Sequence, residues 1–393
     1  MKITNDILYV GVNDHDIDLF EGHYIVPEGM AYNSYVIKDE KTLVVDSVDR
    51  HFTDEWLGKI KEAVGSPDYL LVQHMEPDHS GSIMGFMNEF PKAKIISSQK
   101  AFGMMAQFYE GEDFADRRVV VKEGDSLDLG SHLLCFVAAP MVHWPEVIMT
   151  YDATDKVLFS ADGFGRFGAL DVIGETNEED DDWAREARRY YFGIVGKYGQ
   201  QTQAVLKKAA GLDIEKICAL HGPILVKDLG YHIGLYDTWS KYESESQGVV
   251  IAYTSVYGNT KKAVEMLAEM LEAKGVPAVE VTDLARDDIA EAVEDAFRYD
   301  TVVFATTTFN NGIFPFMREF IDSLTERNFQ NKRVAFIENG SWAPQAAKIM
   351  KGKLEGSKNL TYCENDVKIV SALNDESRAQ LSALADELAA AYN

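Results

Sequence analysis

The sequence predicts an α/β protein of two domains. The first has two β-sheets with helices outside them, and the second has one parallel sheet covered by helices on both faces. Three observations indicate this organisation. At 393 residues the chain exceeds what one hydrophobic core usually holds. A polar stretch at 240–248, "SKYESESQG", interrupts it, and beyond that stretch strand-like and helix-like segments alternate regularly. We therefore predict domains at 1–246 and 247–393.

The composition limits the possible classes of function. The chain is 46% hydrophobic and 26% charged with a formal net charge of −26, so we expect its surface to repel nucleic acid and anionic membranes. No apolar run approaches the about 18 residues of a membrane span, and the first residues lack the pattern of a signal peptide. The cysteines, Cys135, Cys218 and Cys363, are far apart and form no CxxC pair. We expect a cytoplasmic protein without disulfides and without a rubredoxin-like iron site of its own.

Short strand-like runs dominate the first half, and helical patterns are fewer. Turn signals separate these runs, which favours two sheets with helices packed outside them. Helices are predicted over Asp54–Val64, Ile83–Glu89 and Trp183–Lys208. The strand-like runs lie at 33–37, 42–46, 69–73, 93–98, 118–122, 132–139, 146–152, 156–162 and 216–222.

The second half has the alternation that is typical of a parallel sheet. A buried strand is predicted at 249–255 and is followed by a helix over Thr260–Lys274. A further strand at 277–283, a helix over Asp287–Phe297 and a strand at 301–307 continue the pattern. Parallel strands need such crossover helices, which cover both faces of the sheet.

One cluster in the first half indicates a metal site. In "LVQHMEPDHSGS", at 71–82, His74, Glu76, Asp78 and His79 fall within six residues. An acidic surface loop, or a helix cap formed by Asp78 or Ser80, are the alternatives. Because Pro77 forbids a helix through the middle of the cluster, we expect the four side chains on a strand end and its following loop, where they can converge.

Three more ionisable residues each follow an apolar run, namely His143, Asp162 and His221. Together the candidates are four imidazoles and three carboxylates, which suit two metal ions that share one carboxylate. Carboxylate-rich nitrogen and oxygen sites favour iron or manganese over zinc. Three carboxylates and a bridging hydroxide would balance two divalent ions, and a neutral centre is the form that costs least to bury.

The second half contains a candidate phosphate cradle. Thr254–Thr260, "TSVYGNT", joins the first strand to a helix, where unpaired N–H groups and the helix dipole favour an anion. An ordinary polar turn is the alternative, and a GxGxxG fingerprint is absent. Two loops, 305–316 and 337–346, follow later strands and combine small polar residues with Phe309 and Trp342. Such loops suit a planar, partly polar ring system.

The ligand order HxExDH, His143, Asp162, His221 resembles the metallo-β-lactamase fold, although Glu76 departs from the HxHxDH of its zinc hydrolases. The "TSxYGNT" turn resembles flavodoxin. Joined in one chain, the two resemble the flavodiiron protein family. This resemblance implies that His74, Glu76 and His143 ligate one iron, that Asp78, His79 and His221 ligate a second, and that Asp162 bridges them together with a hydroxide or oxo group.

The same resemblance implies FMN as the second cofactor, with Trp342 stacked on the isoalloxazine. The phosphate contacts would come from Thr254, Ser255, Val256, Tyr257, Gly258, Asn259 and Thr260. The ring would be bordered by Thr306, Thr307, Thr308, Phe309, Asn310, Asn311, Gly312, Asn339, Gly340, Ser341 and Trp342.

The implied function is reduction of dioxygen to water, of nitric oxide to nitrous oxide, or of both. We expect a separate electron donor such as a rubredoxin or reduced deazaflavin, and a head-to-tail homodimer or a dimer of dimers. The alternatives are a two-zinc hydrolase fused to a flavin domain and a non-enzymatic electron carrier. Two roles stay open at this point. His23 could line the pocket or be a solvated turn residue, and Tyr190 and Tyr191 could lie behind the ligands or in the core.

Overall fold

The computed structural model describes residues 1–180 and 182–392, and its contacts divide the chain into two units, Met1–Asp237 and Thr238–Asn393. The domain boundary predicted between residues 246 and 247 remains a proposal. It lies at the first residue of the strand Ser246–Tyr253.

The first unit contains fifteen strands among the described residues, most of them short. In chain order they are β1 Ile7–Tyr9, β2 Val12–Asp14, β3 Leu19–Phe20, β4 Tyr24–Ile25, β5 Met30–Tyr32, β6 Tyr35–Ile37, β7 Leu43–Val45, β8 Tyr69–Leu71, β9 Lys94–Ser98, β10 Arg118–Val121, β11 Ser126–Asp128, β12 Leu133–Ala138, β13 Ile148–Asp152, β14 Val157–Phe159 and β15 Lys216–Cys218.

Eight helices accompany these strands, and the last of them crosses the division between the units. They are α1 Thr53–Val64, α2 Pro77–Ser80, α3 Ile83–Glu89, α4 Gln99–Phe108, α5 Leu170–Ile173, α6 Trp183–Tyr190, α7 Gly199–Ala209 and α8 Leu229–Ser240.

Two mixed sheets pack face to face in the first unit, as the sequence predicted. One has the order β1-β6-β7-β8-β9-β10 and the other the order β11-β12-β13-β14-β15. Their inner faces share one apolar core, to which Leu43 and Ile96 contribute from the first sheet and Phe136 and Phe159 from the second. Helices α1 and α4 contact the first sheet and α7 contacts the second, on the outer faces.

The helix predicted over Trp183–Lys208 is interrupted. After α6 the chain forms a π-helical turn at Tyr191–Val195 and a 3-10 turn at Gly196–Tyr198 before α7 begins. Glycine is a poor helix former, and Gly193 stands here because its backbone closely approaches the ring of Tyr24. A Cβ on Gly193 would lie 3.0 Å from the ring of Tyr24, and the Tyr24 hydroxyl donates a hydrogen bond to the Gly193 carbonyl at 2.9 Å.

The second unit is a doubly wound parallel sheet. Its strands are β16 Ser246–Tyr253, β17 Val279–Asp283, β18 Tyr299–Phe309, β19 Gly312–Ile313, β20 Arg333–Asn339, β21 Thr361–Tyr362 and β22 Val367–Ile369. Its helices are α9 Asn259–Ala273, α10 Ile289–Arg298, α11 Pro315–Glu326, α12 Ala346–Lys353 and α13 Asp375–Ala389. The sheet runs β17-β16-β18-β20, with β21 and β22 beside β20 and the hairpin strand β19 beside β18.

Helices cover both faces of this sheet. Helices α9 and α13 pack with Val249, Ile251 and Val303 in one core, whereas α10, α11 and α12 contact one another and the sheet. Alternate residues of a strand point to opposite faces, so the aromatic ring of Phe304 instead packs against Phe320 of α11. The predicted fold class is confirmed for both halves of the chain.

The topology places loops where ligands can gather. Strands β12 and β14 both run antiparallel to β13, and β14 runs parallel to β15. The carboxyl ends of β12, β14 and β15 therefore meet at one edge of their sheet. In the second unit, β16, β18 and β20 are mutually parallel and also end together. Within the described residues, no helix is both long and apolar enough to cross a membrane.

Candidate metal centre

Four predicted ligands form one group at the edge where β12 and β14 end. The Nε2 atom of His143 lies 3.0 Å from a carboxylate oxygen of Glu76 and 3.0 Å from Oδ2 of Asp162. The Nε2 atom of His74 lies 3.3 Å and 3.2 Å from the same two oxygens. Each residue offers a ligand atom within 4.8 Å of the others, so one ion can contact all four side chains.

The other three predicted ligands form a second group. Oδ2 of Asp78 lies 3.2 Å from Nε2 of His79 and 3.2 Å from Nε2 of His221. The two Nε2 atoms are only 2.9 Å apart. Two imidazole nitrogens at this distance, both facing a carboxylate, suit a shared cation better than a hydrogen bond between neutral rings.

Asp162 joins the two groups through its two oxygens. Oδ2 faces His74 and His143, while Oδ1 lies 3.4 Å from Nε2 of His79 and 3.7 Å from Nε2 of His221. A carboxylate oriented in this way can bridge two ions. The structure thus brings together all seven residues predicted from the sequence.

Several buried polar atoms of these side chains lack a hydrogen-bond partner among the described residues. Those that face the centre include both oxygens of Asp78, both oxygens of Asp162 and Nε2 of His143. Unpartnered buried polar atoms are costly and rare. Their convergence on common points fits two metal ions, which would supply the missing interactions.

The carboxylates and imidazoles of the centre shift one another's pKa values. Burial lowers the pKa of the His143 imidazole, but the adjacent carboxylates of Asp162 and Glu76 outweigh this effect and raise the pKa to about 9. Burial raises the pKa of Asp162, but His74 and His143 hold it well below its ordinary value. The carboxylates therefore stay charged and draw positive charge to the imidazoles, which is the charge that metal ions would bring.

The backbone of the HxExDH segment differs in one respect from the expected loop. Pro77 begins the one-turn helix α2, which carries Asp78 and His79. Proline is tolerated at the first position of a helix, where its missing N–H would have no partner. The carbonyl of His79 accepts hydrogen bonds from the hydroxyl and the N–H of Ser47. Pro77 therefore sets the start of this helix and does not exclude it.

Two acceptors orient the ligand histidines from behind. The buried Glu146 carboxylate lies 2.9 Å from Nδ1 of His74 and accepts the N–H of Met75 at the same distance. The carbonyl of Ala31 lies 2.8 Å from Nδ1 of His221. Such partners fix the tautomer and turn Nε2 towards the centre. Sequence reasoning missed Glu146, although it stands three residues after His143.

Residues 20–24 supply a second neighbour that the sequence analysis missed. Glu21, in the hairpin between β3 and β4, lies beside Glu76, and partial burial together with the negative charge of Glu76 raises the pKa of Glu21 to about 8. His23 is exposed, and its ring lies 4.0 Å from that of Tyr24. The residue of this hairpin that reaches the centre is therefore Glu21.

The two neighbouring tyrosines have different surroundings. Tyr190 is fully buried, its ring centroid lies 5.5 Å from that of His221, and burial followed by the charge of Asp162 raises its pKa well above the ordinary value. Tyr191 is also fully buried and packs edge-on against Tyr236. Tyr190 thus forms part of the wall behind the ligands, and Tyr191 belongs to the core.

The predicted phosphate cradle follows β16 directly. Gly258 has a φ of 85° and precedes α9, and the Ser255 hydroxyl accepts the N–H groups of Gly258 and Lys261 at 3.1 Å and 3.2 Å. Thr254 is buried, and its hydroxyl lies 2.5 Å from that of Thr306 on β18. The turn is therefore folded tightly, and it presents the first N–H groups of a 15-residue helix.

The two other predicted loops lie at the same edge of the sheet. The Thr308 hydroxyl accepts the N–H of Gln345 at 2.9 Å, which ties the loop after β18 to the loop after β20. Asn339 donates to the Thr260 hydroxyl at 3.4 Å. Trp342 is 84% exposed and Tyr257 is 93% exposed. Large aromatic side chains in water beside a helix N-terminus fit a planar ligand that carries a phosphate.

Comparison with known families agrees with the fold of both units. A model described as ODP family beta lactamase matches residues 30–222, and a flavodoxin-domain model matches residues 250–366. The chain is 28% identical over 360 residues to a protein named anaerobic nitric oxide reductase flavorubredoxin from Salmonella arizonae. That match covers 90% of this chain and 74% of the relative.

Solved structures of other proteins share this fold over nearly the whole chain. Rubredoxin oxygen:oxidoreductase from Desulfovibrio gigas is 27% identical, with a TM-score of 0.91 over 100% of this chain and 98% of that one. The flavodiiron protein from Giardia intestinalis is 26% identical, with a TM-score of 0.92 over 100% of this chain and 97% of that one.

The position of Glu146 leads to a prediction about metal retention. Glu146→Gln keeps the size of the side chain but removes the charge that orients His74, so we expect metal affinity to fall roughly 10–100-fold. Competition with a chelator, followed by metal analysis, measures this. Glu89→Gln on the exposed face of α3 is the control, and equal metal retention in the two variants would contradict the orienting role.

Proposed function

Because the chain belongs to the flavodiiron protein family, we propose that it is an oxidoreductase that reduces dioxygen to water, nitric oxide to nitrous oxide, or both, at a diiron centre that receives electrons through FMN. The observation that carries the proposal is the pair of ligand groups that share Asp162. A flavodoxin-like unit in the same chain supplies the flavin site.

The proposed ligand set uses every residue of the two groups. His74, Glu76 and His143 would hold one iron, Asp78, His79 and His221 would hold the other, and Asp162 would bridge them. Two ferrous ions bring four positive charges, which three carboxylates and one bridging hydroxide balance. The carboxylate of Glu76 lies in the first group, and this harder donor favours iron over zinc. This donor set supports a diiron site over the two-zinc alternative.

The chain's own side chains orient and enclose this centre. Glu146 and the Ala31 carbonyl fix the histidine tautomers. On the far side of His221, the buried rings of Phe20 and Tyr190 lie 5.4 Å and 5.5 Å from its ring centroid. An apolar wall of this kind limits access of water and strengthens the electrostatic interactions inside the site. When bound, the two irons supply the electrons and the open positions for gas reduction.

The loops of the second unit would hold FMN. We assign the phosphate to Thr254–Thr260, where the helix N-terminus favours an anion without the help of a cation. The isoalloxazine would lie between Thr306–Gly312 and Asn339–Trp342. When bound, FMN supplies electrons singly or in pairs.

We propose a separate electron donor, such as a rubredoxin or a reduced deazaflavin. The Desulfovibrio gigas structure is named for rubredoxin, which supports a donor of this type. We also place the protein in the cytoplasm, because Cys135, Cys218 and Cys363 are all free thiols and a reducing compartment keeps thiols free.

Loss of one predicted ligand tests the gas-reducing centre. In the Glu76→Ala variant we expect reduced flavin to remain reduced when dioxygen or nitric oxide is added, because the first ion has lost a ligand. The flavin spectrum should be unchanged, since the FMN loops are untouched. Anaerobic reduction followed by separate additions of each gas measures both properties, with Glu89→Ala as the control. Wild-type turnover in Glu76→Ala would refute the assigned centre.

The exposed tryptophan tests the assigned flavin contacts. Aromatic stacking contributes about 0.5–1.5 kcal/mol, so Trp342→Ala should weaken FMN binding by roughly 2–10-fold, while Trp342→Phe should retain most of the affinity. Titration of the apoprotein with FMN, followed by quenching of flavin fluorescence, gives both affinities. Identical binding by the alanine variant would remove Trp342 from the site.

We further propose a head-to-tail homodimer, or a dimer of dimers, in which the FMN of one subunit serves the irons of its partner. Tyr257 and Trp342 are exposed aromatic side chains beside the flavin loops. Exposed aromatic side chains of this kind support the proposal that a partner subunit covers this surface. Mass measurement in solution at low micromolar concentration should find dimers or tetramers. A monomer under these conditions would contradict the arrangement.

A further inference from the structure

A second cluster of metal-ligating side chains lies at the other edge of the β11–β15 sheet. His132 immediately precedes β12, and Asp152 ends β13. Leu134 near the start of β12 pairs with Asp152, so both residues lie at the end opposite to His143 and Asp162. Asp155 follows in the turn between β13 and β14. None of these residues takes part in the diiron centre or in the flavin loops.

The three side chains converge closely. Nδ1 of His132 lies 2.7 Å from Oδ2 of Asp152, and the three residues each offer a ligand atom within 4.8 Å of the others. His132 is 2% exposed and Asp152 is 0% exposed. The buried Oδ2 atom of Asp155 has no hydrogen-bond partner within residues 1–180 and 182–392. This cluster is therefore not a set of acidic side chains on a solvated surface.

Two lysines near the cluster pair with groups outside it. The ammonium group of Lys156 lies 2.7 Å from Asp213 and 2.8 Å from Glu215, and that of Lys2 bonds Asn5. Asp6 adds a carboxylate oxygen 3.8 Å from Nε2 of His132. Burial lowers the pKa of His132, but the hydrogen bond to Asp152 and the charges of Asp155 and Asp39 outweigh it and raise the pKa. The surroundings thus favour a positive charge at this point.

We propose that His132, Asp152 and Asp155 form a binding site for one divalent transition-metal ion of the Zn²⁺ class, separate from the diiron centre. One imidazole with two carboxylates is a donor set that such ions accept, whereas Ca²⁺ and Mg²⁺ prefer oxygen ligands alone. Zinc binds these donors at about 2.0–2.2 Å, which places tetrahedral donors roughly 3.4 Å apart. The pair of His132 Nδ1 and Asp152 Oδ2, now 2.7 Å apart, would open slightly, and donors as far apart as 4.8 Å would close.

The location of the cluster determines how an ion would reach it and what ion binding would do to the fold. Asp155 lines an open cavity of about 730 Å³ together with Lys2–Asn5, Thr154, Lys156, Glu215 and Lys216, so an ion can reach the site from solvent. A bound ion would tie the start of β12 to the turn between β13 and β14. Because the ion binds the folded chain and the ligands are scattered in the unfolded chain, binding should raise the melting temperature.

Zinc titration of the holoprotein, loaded with FMN and iron, tests this site. Calorimetry should show one equivalent of Zn²⁺ taken up while the iron content, measured in parallel, stays constant. Asp155→Asn should lower the zinc affinity at least tenfold and correspondingly reduce the rise in melting temperature at a given zinc concentration. Asp213→Asn, which removes an exposed carboxylate beside the same cavity, should bind zinc as the wild type does.

Three outcomes would overturn the proposal. They are no zinc uptake at constant iron content, equal uptake by Asp155→Asn and the wild type, and displacement of the bound zinc by Ca²⁺ at comparable concentration. Asp155 is half-buried, so its substitution should fold even if His132→Gln does not. Gas consumption should be unchanged in Asp155→Asn, so this test is independent of the proposed function.

Discussion

The first unit depends on one constraint, which is that ionisable side chains buried at a sheet edge must be neutralised. Asp162 is at the centre of this problem because its two oxygens face two different groups of imidazoles. Burial of such a carboxylate would be costly in isolation, but the surrounding histidines hold its pKa low. The same negative charges that raise the pKa of His143 make the centre a receptor for two cations, so stability and metal binding are linked at this site.

This constraint explains the arrangement of the strands around the site. Ligands come from segments that follow β8, β12, β14 and β15, and three of those strands end at one edge of the second sheet. The sheets supply rigid positions, while short segments such as α2 supply the precise angles. Glu146 and the carbonyl of Ala31 complete the geometry from behind. The rigid scaffold therefore reduces the cost of holding charged groups close together before any ion binds.

The second unit meets the opposite requirement, since it must hold an anion with few cations. The turn after β16 offers backbone N–H groups and hydroxyls for this purpose, and the loops after β18 and β20 are tied together by the bond between Gln345 and Thr308. The protein thus carries out both tasks with a net charge of −26. Buried carboxylates and imidazoles favour cations in one unit, and the ends of a parallel sheet favour a phosphate in the other.

The sequence alone determined the fold class, the seven convergent side chains and the three loops of the flavin unit, because these depend on strand periodicity and on residue types that follow strands. It did not determine that Pro77 starts a helix, that glycines interrupt the predicted helix over Trp183–Lys208, or that Glu21 and not His23 reaches the centre. It also gave no sign of Glu146 behind His74 or of His132 beside Asp152. Those relations join residues that are distant in the chain or depend on local backbone angles, and only the packing of the two sheets decides which side chains meet.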